Sequence, residues 1–130
     1  MKYLLDVNAL VALGFAHHEF HSRVSAWIMT AQPSEMGTCS ITELGFVRVL
    51  SQAPSYGITV DQAKSLLLRL KRSRVLPFTF IPDDRDISDL PGWVKFPRQT
   101  TDGHLSALAR ANGAKLATLD KRIPGSFPIP

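Results

Sequence analysis

Four widely spaced acids, Asp6, Glu43, Asp102 and Asp120, are the residues of this chain whose types and settings point to chemistry. Asp6 and Asp120 each follow a short apolar run, Tyr3-Leu4-Leu5 and Leu116-Ala117-Thr118-Leu119, that reads as a strand. In open α/β sheets functional groups gather beyond the carboxyl ends of strands, and an Asp at such a place also serves as a helix cap or turn residue. Glu43 falls, at about 100° per residue, among Phe46, Val47 and Leu50 on one helix face. A carboxylate on an apolar face needs a cation or donors, and Arg48 lies too far round the helix to supply one. An inter-helix salt bridge or a solvated helix start would also satisfy Glu43. Asp102, in the first turn after Thr100-Thr101, would complement the helix dipole. Taken together, a few convergent carboxylates with no Cys/His cage are the ligand inventory of a hard divalent cation such as Mg²⁺. The chemistry such a site supports is phosphodiester hydrolysis: the metal polarises the phosphate, lowers the pKa of an attacking water and stabilises the leaving oxygen.

These acids need elements to hold them. The periodicity predicts a strand at Tyr3–Leu5, a helix apolar all round from Asn8 to Phe15, and an amphipathic helix from His18 to Ala31 built on Phe20, Val24, Trp27 and Ile28. Met36 to Ser40 reads as a second strand. Helices follow at about Ile41 to Ser51 and Thr59 to Arg74, the latter with Val60, Ala63, Leu67 and Leu70 as its apolar stripe and Pro54-Ser55-Tyr56-Gly57 as the turn between the two. Phe78 to Ile81 reads as a strand, and Asp83 to Arg98, rich in Asp and Pro, as a loop open to insertion. A helix from Thr101 to Ala111, ended by Asn112-Gly113, leads to a strand at Lys115–Leu119 and a short edge strand at Phe127–Ile129. Strands alternating with helices predict an α/β domain, residues 1–130, with a mostly parallel central sheet of four to five strands flanked by helices.

Composition agrees with one ordinary soluble domain of 130 residues, 45% hydrophobic and 20% charged, and excludes fibrous, disordered and membrane-spanning classes. Asp6 and Asn8 interrupt an N-terminus that otherwise mimics a signal peptide. The single cysteine, Cys39, can form no internal disulfide, so the cytoplasm is the expected address. Lys and Arg number 15 against 11 Asp and Glu, for a net charge of +4; with the four acids above set aside, bases outnumber acids by about two to one. An acidic pocket within a basic surface suits an anionic polymer held by Lys and Arg and cut at a metal.

Four stretches carry a family resemblance: Leu4-Leu5-Asp6-Val7-Asn8-Ala9-Leu10, Ser40-Ile41-Thr42-Glu43-Leu44, Thr101-Asp102-Gly103-His104-Leu105-Ser106-Ala107-Leu108-Ala109 and Leu116-Ala117-Thr118-Leu119-Asp120. In their order and spacing the chain resembles PIN-domain ribonucleases, most closely the small VapC-like toxins of bacterial toxin–antitoxin pairs. The resemblance implies that Asp6, Glu43, Asp102 and Asp120 form an acidic quartet holding Mg²⁺ or Mn²⁺, with Asn8 and Thr118 as supporting polar positions. It implies a metal-dependent endoribonuclease acting on structured or single-stranded RNA, a cognate antitoxin that blocks the site, and a homodimer. A PIN-like module that only binds partners is the alternative. An Asp-x-Asp phosphatase start is absent, since Asp6-Val7-Asn8 stands there, and a receiver-type signalling domain would need an acidic neighbour for Asp6.

Several further residues could bear function. His17, His18 and His21 include an i, i+4 pair able to share a helix face, without an evident third zinc ligand, and are expected, beside Trp27, to serve the structure or the substrate rim. Lys64, Arg69, Lys71, Arg72 and Arg74 form a charged helix face that is either solvated or in contact with RNA. Trp93 would stack on a base or cover the core.

Overall fold

Tyr3 and Leu5 face one side of the first strand and Leu4 the other, and this period-2 alternation sets the layers of the protein. The computed structural model describes residues 1–130. Its strands are β1 (Lys2–Leu5), β2 (Glu35–Thr38), β3 (Phe78–Phe80), β4 (Lys115–Thr118) and β5 (Phe127–Pro128). Every pairing is parallel, in the order β3-β2-β1-β4-β5. The helices are α1 (Val7–Gly14), α2 (His21–Ala31), α3 (Ser40–Gln52), α4 (Val60–Lys71) and α5 (Thr100–Ala111). Helices α1 to α4 cover the face of Tyr3, Leu5 and Ala117, burying Leu10, Phe46 and Leu50. Helix α5 covers the opposite face, where Leu105 and Leu108 meet Leu4 and Leu116. No helix is long and apolar enough to cross a membrane.

The chain leaves β1 toward β2 on one side and returns through β4 on the other, so the strand order reverses between β1 and β4. That reversal opens a crevice beyond their carboxyl ends, the place where parallel sheets hold ligands.

The elements follow the sequence pattern, with boundaries moved by local hydrogen bonds. Helix α2 begins at His21, three residues late, because the His18 ring accepts from the Phe20 N–H and holds that stretch as a turn. Helix α4 ends at Lys71, short of Arg74, where Ser73 Oγ accepts from the backbone N–H groups of Val75 and Leu76. Val60, assigned to the apolar stripe, is exposed.

The segment from Asp83 to Arg98 departs furthest from expectation. It forms two 3₁₀ turns, Ile87–Asp89 and Pro97–Gln99, and lies directly on α5. Gly103 makes this possible: a Cβ there would stand 2.3 Å from Val94 Cγ2 and 3.3 Å from Leu90 Cδ1. The segment is therefore part of the packing, not a free insertion point.

β5 is pinned from three sides. Phe127 packs against Tyr3 and Trp27, whose rings meet edge-on at 5.0 Å, and the Arg23 guanidinium donates to the carbonyls of Ile129 and Pro130. Trp27 is thus a core residue, with its indole N–H lacking a partner.

Candidate active site at the carboxyl edge of the sheet

Thr118, the last residue of β4, organises the crevice. Its buried hydroxyl donates to Asp6 Oδ2 at 2.7 Å and accepts from the Asn8 amide at 3.2 Å and from the Asp120 backbone N–H at 3.0 Å. Asn8 Oδ1 accepts from the Leu119 N–H at 3.0 Å. One hydroxyl and one amide therefore tie the end of β1, the first turn of α1 and the end of β4 together. Asp6 is also the N-cap of α1, its Oδ1 accepting from the Val7 N–H at 2.8 Å. The capping role coexists with exposure of the carboxylate to its acidic neighbours, because each oxygen has two lone pairs.

Asp102 enters from the other face of the sheet, in the first turn of α5, and no side-chain or backbone donor reaches its carboxylate. Burial holds its carboxyl above the ordinary range, and the charges of Asp6 and Asp120 push it further, against the pull of Arg122. Asp6 is raised as well: burial outweighs the Thr118 and Val7 hydrogen bonds, and Asp120 adds repulsion. Asp120 moves the opposite way, because Arg122 grips it through Nε and Nη2, both at 3.0 Å, and through its backbone N–H at 2.9 Å. Three aspartates on three elements thus sense one another's charge across the crevice.

Glu43 stands apart from that trio, in the first turn of α3. Its Oε2 accepts from Thr38 Oγ1 at 2.6 Å and from Lys71 Nζ at 2.7 Å, and the ammonium also lies 5.3 Å from the centre of the Phe80 ring. The inter-helix salt bridge is therefore how Glu43 is met in this structure. Lys71 closes α4, and α3 and α4 are joined by a short connection that brings the end of one beside the start of the other. In the sequence Lys71 reads only as one charge of a basic helix face, with no sign of its pairing to Glu43, and Arg122 does not stand out. Antiparallel helices of nearly equal length carried the signal for the first, and the Asp-x-Arg spacing of a side-chain turn carried it for the second.

No group of three or more His, Cys, Asp or Glu side chains is close enough together in this structure to hold a metal ion. Two of the four acids are drawn onto cations of the chain. The donor set still suits a hard divalent ion: every candidate ligand is a carboxylate oxygen, Asp102 has no donor on it, and the trio carries repulsion that a cation would relieve. Of the four acids expected to act together, Asp6, Asp102 and Asp120 are coupled by charge and could serve such an ion only after drawing closer, while Glu43 is held by Lys71.

The remaining candidates have other work. His21 Nδ1 lies 2.8 Å from the Ala12 carbonyl, fastening α2 to α1, and the His17 ring packs edge-on against Phe15. Of the basic residues of α4 and its end, Lys64, Arg69, Arg72 and Arg74 are exposed, and Lys71 alone turns to an acid. Trp93 packs partly on the α5 side of the core.

Residues 3–125 match the PIN domain family. The chain is 40% identical to ribonuclease VapC38 of Mycobacterium tuberculosis over 122 residues, covering 90% of this chain and 84% of that one. It is 39% identical to ribonuclease VapC44 of the same species over 128 residues, covering 95% and 89%. Among solved structures, M. tuberculosis VapC20, described as a toxin cleaving the sarcin-ricin loop, superposes with a TM-score of 0.63 at 14% identity, covering 93% of this chain and 92% of that one. VapBC2 of Rickettsia felis, solved with a promoter DNA fragment, gives 0.63 at 18% identity, covering 98% and 97%. With its parallel five-stranded sheet and acids gathered where the strand order reverses, the chain belongs to the PIN-domain family, among its VapC-like members.

Proposed function

We propose that this protein is the toxin of a type II toxin–antitoxin pair, an endoribonuclease that hydrolyses phosphodiester bonds in structured or single-stranded RNA using Mg²⁺, with Mn²⁺ as a substitute. The observation that carries the reading is the meeting of Asp6, Asp102 and Asp120, from β1, α5 and β4, in one crevice where burial and mutual charge raise two of them. The ribonuclease relatives support it. A divalent ion held there would polarise the scissile phosphate and lower the pKa of an attacking water.

The chain's own residues prepare the site. Thr118 and Val7 fix the two oxygens of Asp6, leaving further lone pairs directed to a ligand. Asn8 holds Thr118 and the Leu119 backbone, so the carboxylate does not swing when charge arrives. Arg122, exposed beyond Asp120, supplies positive charge to an approaching phosphate. Lys71 keeps Glu43 compensated until a metal competes for it. A cognate antitoxin that covers the crevice, a homodimer that extends the RNA surface and a cytoplasmic address complete the proposal. The R. felis VapBC2 structure supports the antitoxin.

The test is cleavage of end-labelled transfer and ribosomal RNAs by the purified chain in Mg²⁺ and in EDTA, beside Asp6→Asn prepared identically. Discrete cuts that need metal and fall at least a hundredfold in the variant are expected. Cuts that persist in Asp6→Asn place the chemistry elsewhere, and no cuts on any RNA leave a PIN-like binding module.

A further inference from the structure

An open cleft of about 980 Å³ lies at the opposite end of α5 from the acidic crevice, and nothing in the catalytic reading uses it. Its walls include Arg85, Asp89, Trp93, Ser106, Arg110 and Lys115. Arg85 is committed to Asp84 and Asp89 at 3.1 and 3.3 Å. Arg110 and Lys115 are exposed and have no acidic partner, so they give the cleft two free positive charges. Trp93 is half-buried, anchored on one side against the Leu105–Leu108 core and bordering the cleft on the other. The Ser106 hydroxyl finds no hydrogen-bond partner, which is costly for a sheltered polar group.

We propose that this cleft is a second RNA-binding site, in which a base stacks on Trp93 while Arg110 and Lys115 hold flanking phosphates. Fixed cations beside an anchored aromatic are the combination by which proteins grip single-stranded nucleic acid, and the stack needs no particular base. An acidic peptide would use the two cations and leave the indole and the hydroxyl without a role. The path to the active site supports RNA as well. Asp102, Ser106 and Arg110 recur at i, i+4 and i+8, so they form one stripe along α5. Eight residues of helix span about 12 Å. A strand lying along that stripe reaches the cleft a few nucleotides from the bond at the acids. The cleft would then set the register in which an RNA is presented, and the inference rests on RNA being the substrate.

Binding is read without cleavage, using the full chain in EDTA and a single-stranded hexaribonucleotide. The protein has two tryptophans, and Trp27, 5% exposed in the core, is shielded from ligand. Quenching of tryptophan fluorescence is therefore expected to report Trp93, and to vanish in Trp93→Phe while the oligonucleotide still binds by anisotropy. In the double variant Arg110→Ala/Lys115→Ala, both positions being exposed, the affinity is expected to fall about tenfold. The slope of log K against log salt should become shallower by about 1.4, the contribution of two single-strand phosphates. Unchanged affinity and slope in that variant overturn the proposal. So does a Glu-rich heptapeptide that quenches Trp93 where the RNA does not, which would assign the cleft to a protein partner. Loss of metal-dependent cleavage with this binding intact counts against the nuclease reading and leaves the cleft standing.

Discussion

Asp6 carries a carboxylate in a residue only 6% exposed, with two donors on it and Asp120 near enough to repel it. Burial is the largest influence, so its folded pKa lies above its unfolded one, and Asp102 behaves alike. Groups raised in this way bind protons more readily folded than unfolded. Their contribution to stability is complete below the unfolded value of about 3.8 and is lost as pH rises through the folded value. Above the folded value the metal-free protein therefore holds ionised Asp6 at a cost, the trade between stability and function expected where charge is stored for a ligand. Asp6→Asn removes that charge and keeps most of the network: Thr118 Oγ can turn its proton to Asn8 Oδ1, 3.4 Å away, and accept from the new amide in place of the Asn8 amide, since its two lone pairs already serve that group and the Asp120 N–H. In EDTA at pH 7 the variant should melt higher than the parent by roughly 2–5 °C, the shift that about 1 kcal/mol produces in a domain of this size. The gap should close as pH falls toward 4. Thermal melts from pH 4 to 7 check this, and a variant that melts lower throughout would mean the hydrogen bonds outweigh the stored charge. The family resemblance marks Asn8 and Thr118 as polar positions but not their partners: a strand's period-2 geometry points Thr118 with Asp120, and the fold turns its hydroxyl to Asp6, 112 residues away.

Between elements, legibility depends on whether the contact is periodic or tertiary. Alternation in β1 and β4 and the 3.6-residue stripes of the helices were readable because burial repeats along the chain. The order β3-β2-β1-β4-β5, and with it the meeting of Asp6 and Asp120, depends on crossovers that leave no periodic mark. Segment 83–98 read as loop because its Asp and Pro residues form turns, and its docking hangs on the absence of one Cβ at Gly103. Gly103→Ala drives a methyl into Val94 beside the first turn of α5, so a loss of about 1–3 kcal/mol is expected, seen as a lower urea midpoint at unchanged slope. An unchanged midpoint would show that segment 90–94 yields freely. Lys71 is a second tertiary contact, joining α4 to α3 through Glu43. Lys71→Met keeps an aliphatic stem beside Phe80 and removes the ammonium. If Glu43 is a metal ligand, Mn²⁺ should then bind about two- to fivefold tighter by calorimetry, because an ion pair worth up to about 1 kcal/mol no longer competes. Equal or weaker binding would remove Glu43 from the ligand set.

If the proposed function holds, the distribution of charge over the molecule separates holding RNA from cutting it. The acids of the crevice are local and partly sheltered, while exposed bases such as Arg69, Arg72, Arg74, Arg110 and Lys115 lie on α4, just past its end, at the far end of α5 and at the start of β4. On the proposed reading, a phosphate chain meets attraction at these bases and repulsion at the crevice acids, where a divalent ion would reverse the sign. Two consequences differ in how they respond to salt. Surface attraction works through counterion release, so log K for a single-stranded oligonucleotide in EDTA should fall linearly with log salt, at about 0.7 per phosphate engaged. Three to five contacts predict a slope of roughly −2 to −3.5. Repulsion at the crevice is short-ranged and sheltered, and salt screens it poorly. Adding Mn²⁺ at constant ionic strength should therefore strengthen binding to the parent by a factor that is nearly independent of salt, and Asp6→Asn should lose most of that factor while keeping the slope. Filter binding over 50 to 300 mM KCl, with and without Mn²⁺, separates the two. A slope near zero would mean that RNA is gripped by shape and stacking instead of charge, and a Mn²⁺ effect equal in parent and variant would mean that the ion bridges RNA to the surface somewhere other than the acids.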